Sequence, residues 1–301
     1  MMLKVYSKFI LAIVFISVIS GNVWAENGLA LMMVDHSARA AGMGNAYVSI
    51  TDDPNGVVYN PASITSLTKF TASFGHTGYW ENIRLESGYM AVNLSARTFL
   101  HGGLRFAVID NLEQRFTPSA EPDNIFDAHD ISFKSGLSYH LTDKIITGFS
   151  IGWFIEKIEA WRGSSFNVDF GLLIKPSENI NLGASAVNIG SDFNLTKPGV
   201  TGSRDISLPA SYTIGVSYKY QKYLGAFDIV VSNDVTHALL GVEAQVHDLF
   251  LLRTGYMVNY DSKNFTAGTS FTRRNLTIDY AFVPFKNNLG TSHIFNLTFS
   301  L

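Results

Sequence analysis

An all-β fold, a transmembrane antiparallel β-barrel of about fourteen strands with an N-terminal hatch or plug segment, is what three features of this 301-residue sequence predict. The first is alternation: from about Phe70 onward, apolar residues and small or polar residues follow one another with a period of two. Ile131, Phe133, Leu137, Tyr139 and Leu141 share one face, while Ser132, Lys134, Gly136, Ser138 and His140 share the other. Phe166, Val168, Phe170 and Leu172 likewise oppose Asn167, Asp169 and Gly171, and Leu240, Val242, Ala244 and Val246 oppose Gly241, Glu243 and Gln245. The second is length. The segments run about nine to twelve residues, longer than the ~5–6 of a globular strand and suited to a strand tilted through a bilayer. Lipid offers the backbone no hydrogen-bond partner, so such strands have to close on one another. The third is the parity of the connections, described below.

The elements follow in chain order. Lys4 and Lys8 precede an apolar run from Phe9 to Ile19, and Val23-Trp24-Ala25 offers a cleavage site. This predicts a signal peptide over 1–25, because the run is shorter than the ~20 residues a spanning helix needs. Removing it leaves 20 basic against 25 acidic residues, moving the net charge from −3 to −5. Residues 26–66 do not alternate; they are rich in small residues and turn formers. Asn60-Pro61 reads as a capped helix start, with Asn60 at the N-cap and Pro61 at the first helical position. Such a segment has no core of its own, and its natural place is the lumen, as a hatch in a barrel this wide.

The barrel is expected over 67–301, with strands near 70–78, 83–94, 99–110, 131–141, 145–157, 164–175, 180–189, 209–219, 224–232, 238–246, 249–259, 265–272, 275–283 and 291–301. Alternation is ragged in 83–94 and 180–189, which leaves twelve strands as the alternative count. The two longest connections, 111–130 and 190–208, fall at odd-numbered junctions, whereas even ones such as Thr142-Asp143-Lys144 and Arg273-Arg274 are short. Long external loops over short periplasmic turns are the pattern of outer-membrane barrels. An exported sandwich or propeller would show shorter strands and more charge.

Composition agrees. Charged residues make up 16% against about 25% in soluble domains, as lipid contact on one face requires. A net charge of −3 supplies no basic face for nucleic acid. With no cysteine, thiolate metal sites and cysteine nucleophiles are excluded. No nucleophile elbow is present, since Gly148-Phe149-Ser150-Ile151-Gly152 falls inside an alternating strand, and His-Glu-x-x-His is absent, so the sequence predicts a protein that is not an enzyme. Gly42-x-Gly44 has no third glycine at Tyr47 and no strand before it, and Asp52-Asp53-Pro54-Asn55-Gly56 lacks EF-hand spacing. Neither a cofactor nor a metal is expected.

Specific motifs narrow the class. Ala38-Arg39-Ala40-Ala41-Gly42-Met43-Gly44-Asn45-Ala46-Tyr47, then Asp52-Asp53 and Tyr59-Asn60-Pro61-Ala62, open the chain's non-alternating part. Leu252-Arg253-Thr254-Gly255-Tyr256, Asn259-Tyr260-Asp261, the run from Leu276 to Phe285 and Gly290-Thr291-Ser292-His293 occupy its far end, with Leu208-Pro209 between. Together they resemble the PorV/PorQ family of outer-membrane proteins, within the larger FadL-like group of hydrophobic-compound transporters. The resemblance implies a fourteen-stranded barrel with an N-terminal hatch, assembled by the barrel-assembly machinery and surrounded by outer-membrane lipid. It implies passage of a hydrophobic small molecule or, as in PorV-type members, a non-enzymatic role in type IX secretion with secreted cargo proteins as partners.

Candidate residues follow. Arg39 in the hatch needs a buried acidic partner, for which Asp169, Glu243 and Asp279 offer themselves. Gly42 and Gly44 suit close packing, Asp52 and Asp53 a turn, and Asn60 and Pro61 a capped helix start; with Arg39 these are the hatch and gating candidates. Lys134, His140, Asn167, Asp169, Glu243, Arg253 and Asp279 are the candidates for the lumen lining. Glu113, Glu121, Asp123, Asp127 and Asp130 are expected on a solvated external loop.

Overall fold

A computed structural model describes residues 34–67, 69–79, 83–201, 204–232 and 234–301. The expected signal peptide and the start of the expected hatch segment lie outside these residues. Seven strands come first: β1 (Phe70–Gly78), β2 (Ile83–Ser95), β3 (Thr98–Gln114), β4 (Asn124–Thr142), β5 (Ile145–Ile158), β6 (Trp161–Ser177) and β7 (Ile180–Gly190). Two short ones follow, β8 (Phe193–Leu195) and β9 (Arg204–Ile206). The wall then continues through β10 (Ser211–Tyr220), β11 (Tyr223–Ser232), β12 (Val235–His247), β13 (Phe250–Val258), β14 (Phe265–Arg273), β15 (Leu276–Pro284) and β16 (Thr291–Ser300). All but β8 and β9 pair with their neighbours in one antiparallel ring, β7 joins β10, and β1 closes onto β16. The barrel has fourteen strands.

Both ragged segments are full strands, and the structure explains the raggedness. In β2 the inward positions Leu85, Tyr89 and Ala91 are apolar because they pack on the plug, while Arg84 and Glu86 point outward. In β7 a register shift against β6 falls around Val187 and Asn188, where Asn188 takes a φ of 58°. Elsewhere the outer face carries Phe74, Leu104, Phe133, Trp153, Leu240 and Phe295, all exposed. The six connections on one rim are two residues each, from 96–97 to 274–275, and both ends of the ring meet there, with Leu301 donating to the Phe70 carbonyl at 2.8 Å. The opposite rim carries the longer connections, together with two that are as short, 159–160 and 233–234.

Three local expectations are corrected. The segment 111–130 is mostly strand: β3 and β4 form a long hairpin that leaves only 115–123 as a loop. Asp127 and Asp130 therefore lie in β4, and Asp130 is buried on the inner face. In 111–114 and 124–127 neither face is buried, so the tip of this hairpin carries no period of two. Segment 190–208 contains the β8–β9 sheet, whose Phe193, Leu195 and Ile206 pack on Phe154 and Leu208. Asn60-Pro61 starts no helix. Instead Asn60 accepts from the Ala62 N–H at 2.9 Å and donates to the Val48 carbonyl at 2.7 Å, forming a turn.

The plug, residues 34–67, lies inside the ring. It holds helix α1 (Ala38–Gly42), capped by Ser37, and a 3-10 turn (Pro54–Val58) capped by Asp53 with Pro54 in its first turn. Plug backbone meets wall backbone at inward-facing glycines. A Cβ on Gly255 would stand 2.0 Å from the Gly44 nitrogen, and one on Gly148 2.1 Å from the Pro61 carbonyl carbon. Gly225, on the lipid face, has open space around it. Gly255→Val is thus expected to destabilise the folded barrel by about 1–3 kcal/mol or expel the plug, while Gly225→Val stays within ~0.5 kcal/mol of the parent. The temperature at which the folded band converts to the unfolded one on SDS gels reads both; equal shifts would contradict the close packing.

Candidate functional site

The polar face of each strand turns inward, so charged side chains on it leave water unless the plug or wall pairs them. Every lumen candidate named from the sequence lies on that inner face, and most are consumed by ion pairs or plug contacts. Arg39 on α1 reaches Glu243 on β12, Nε to Oε2 at 3.0 Å and Nη2 to Oε1 at 3.1 Å. Glu243 also accepts from Arg253 Nε at 2.5 Å, and Arg253 Nη1 donates to Asp279 Oδ1 at 3.0 Å. Ser270 donates to the same Asp279 oxygen. Of the three acids available to Arg39, Glu243 is the one it pairs with.

A second cluster pins the β6–β7 irregularity. Lys134 Nζ lies 2.7 Å from Asp169 Oδ2 and 2.8 Å from Asn188 Oδ1, and the Asn188 N–H donates to Asp169 at 2.7 Å. Asn167 is buried beside it, with neither side-chain polar atom paired among the described residues. His140 donates to the Thr65 carbonyl at 3.0 Å and so acts as a plug anchor. Pro61 is held through its carbonyl, which accepts from His101 at 3.0 Å and Ser138 at 2.6 Å.

The remaining hatch candidates act within the plug. Gly42 rests on Gly268, Gly44 takes a φ of 61°, and its N–H donates to Thr266 at 3.1 Å. Asp52 accepts from the N–H groups of Thr65 and Ser66 at 2.9 and 2.8 Å. Asp53 accepts from the Tyr47 hydroxyl at 2.5 Å and the Asn55 N–H at 2.8 Å. Both carboxylates thus tie the plug to itself. At the plug's start, Asp35 pairs with Lys263 at 2.7 Å. Burial would lower the Lys263 ammonium, but the Asp35 charge holds it above the ordinary lysine value.

Sequence reasoning missed the residues that divide the lumen. The plug separates two cavities. One, of about 180 Å³, lies between the plug and β7, β10, β11 and β12, and is lined by Val48, Val58, Tyr59, Val230, Leu239 and Tyr260 among others. The other, of about 390 Å³, opens at the rim of short turns and is more polar, with Arg39, Asp52, Lys175, Lys219, Lys222 and Glu243 around it. Val48 lines the first and Ile50 and Thr51 the second, so the partition is a short stretch of chain. Asp228 Oδ2 holds it by accepting from the Tyr47 and Val48 N–H groups at 2.6 and 2.8 Å. Ser217 and Asn181 donate to the Ser49 carbonyl at 3.2 and 3.3 Å. The inward acid in Phe227-Asp228-Ile229 was the available signal: like Asp169 and Glu243, it breaks an apolar strand on the lumen side.

Comparison with solved structures gives the architecture a name. The chain matches the Pseudomonas putida toluene transporter TodX with a TM-score of 0.62 at 14% identity, covering 92% of this chain and 98% of that one. It matches the CymD monoaromatic hydrocarbon channel with a TM-score of 0.65 at 13% identity, covering 89% and 98%. The fold is that of the FadL-like barrels. A Pseudomonas aeruginosa FadL homologue agrees, with a TM-score of 0.58 at 13% identity over 89% and 99%. At such identities the FadL-like likeness is one of fold. No protein-family model and no curated protein matches the chain.

The Lys134–Asp169 pair supplies a test of how this FadL-like barrel holds its interior. Asp169→Ala leaves a buried ammonium without its carboxylate and is expected to cost about 3–5 kcal/mol, whereas the double change Lys134→Met with Asp169→Leu recovers most of it. Denaturant unfolding followed by tryptophan fluorescence measures both. A single variant as stable as the parent would show that the pair contributes nothing.

Proposed function

We propose that the protein is a bacterial outer-membrane channel that admits hydrophobic small molecules and is not an enzyme. It is exported behind residues 1–25, with the short-turn rim in the periplasm. The observation that carries this reading is the pair of lumenal cavities divided by a thin partition of plug, inside a FadL-like fold. A fixed wall with a removable partition suits passage of one small molecule at a time. The outer cavity receives the molecule, and a shift of Tyr47–Thr51 off Asp228, Ser217 and Asn181 opens the way to the periplasmic mouth. The toluene and monoaromatic hydrocarbon named for TodX and CymD set the size class of the expected cargo.

Placement in the PorV/PorQ branch rests on the motifs at Ala38–Tyr47, Tyr59–Ala62 and Leu252–Tyr256. Cargo handling in type IX secretion is the second reading, favoured by the projecting β3–β4 hairpin with Phe116 exposed near its tip. Recovery of secreted proteins sharing a C-terminal domain with the purified barrel would favour that role.

Uptake tests the transport reading. Cells of a Gram-negative host carrying the protein are expected to take up radiolabelled toluene several-fold faster than cells with the empty vector. Val230→Trp, which fills the outer cavity, is expected to return the rate to background. Identical uptake with and without the protein would refute transport.

A further inference from the structure

The outer cavity is neither purely apolar nor evenly polar. Its volume of about 180 Å³ compares with the ~150 Å³ in which an engineered protein cavity takes a benzene, so one substituted six-membered ring fills it. Valine and leucine side chains and the rings of Tyr59 and Tyr260 supply the apolar lining. Buried polar residues interrupt it, among them Arg105, Asp228, His36 and Asp35, the last paired with Lys263. Asp228 is 1% exposed; its Oδ2 takes the two plug N–H groups, while Oδ1 has no partner among the described residues. His36 is 3% exposed, stacked on Tyr59 at 5.6 Å and 17° and against Tyr89 at 5.4 Å, and its Nε2 is likewise unpartnered among the described residues. Burial, with the Arg105 charge adding to it, lowers the His36 pKa and keeps the ring neutral.

Both atoms are closed off and unpaired among the described residues, which is costly, and a bare hydrocarbon brings neither of them a partner. A hydroxyl reverses that balance, because it donates to a carboxylate oxygen and still offers an acceptor. We infer that this cavity selects small one-ring molecules carrying a hydroxyl, such as simple phenols, over hydrocarbons of the same size, with Asp228 Oδ1 as acceptor of the ligand O–H and His36 as the second polar contact. The inference rests on the transport reading and narrows its cargo. Sites built to pair a substrate hydroxyl discriminate strongly against analogues lacking it.

Equilibrium dialysis of the full-length protein in detergent against radiolabelled p-cresol, toluene and 4-methylanisole tests this. The three share one ring; the ether has the oxygen but no proton to donate. p-Cresol is expected to bind about tenfold tighter than either of the others. In Asp228→Asn the amide oxygen still accepts from Tyr47 and Val48 while the other atom becomes a donor, so the preference for p-cresol over 4-methylanisole should fall to about one. The three-ligand comparison on the parent protein needs no variant to assemble. Equal affinity for p-cresol and toluene overturns hydroxyl selection and leaves transport standing; binding of none of the three overturns both. A preference that survives in an assembled Asp228→Asn barrel overturns the role given to Asp228.

Discussion

Lipid gives a peptide group nothing to bond to, and the rest of this molecule follows from that. A strand in such a solvent must be paired on both edges, so fourteen of them form a ring with no free edge. The ring has an outside that meets acyl chains and an inside that does not, and each strand therefore carries two chemistries in alternate positions. Closure also fixes the width. A circuit of fourteen strands encloses more space than its own inward side chains fill, and here residues 34–67 fill it.

Filling the lumen with chain rather than water changes what the inner face must do. Side chains that would be solvated in an open channel are buried, and they are stable there only in sets. Arg39, Glu243, Arg253 and Asp279 form one such set and Lys134, Asp169 and Asn188 another. Each joins elements that sequence keeps far apart. Asp228 Oδ1, His36 Nε2 and both side-chain polar atoms of Asn167 stay buried without a partner among the described residues.

How much was legible beforehand depended on which solvent a segment sees. The barrel strands could be read because lipid on one side and polar lumen on the other write a period of two. The signal faded in β2, where Leu85 and Tyr89 face the plug instead of water, and vanished toward the tip of the β3–β4 hairpin, where neither face is buried. The plug had no period to offer: α1 is five residues long and held by contacts to β13–β16. Asn60-Pro61 carried a sound capping signature, yet the cap that forms is Asp53-Pro54, seven residues earlier, because Pro61 is held by His101 and Ser138. Arg39's need of an acid was readable from charge alone; which acid was not, because that depends on the register of β12 against β13.

The seam of the ring lies between β1 and β16, its first and last strands in chain order. Until those two pair, the wall is an open, curling sheet and the lumen is a cleft. The plug precedes β1, and its α1 touches β13, β14, β15 and β16, strands made last. Enclosure is therefore the final geometric event of assembly: either the plug is already seated when β16 closes the circuit, or it must enter afterwards through an end of the tube. Backbone fitted against backbone at Gly255 and Gly148 leaves little clearance for the second route. The segment that fills the lumen in the finished protein also serves, on this geometry, as the form around which the barrel is wrapped.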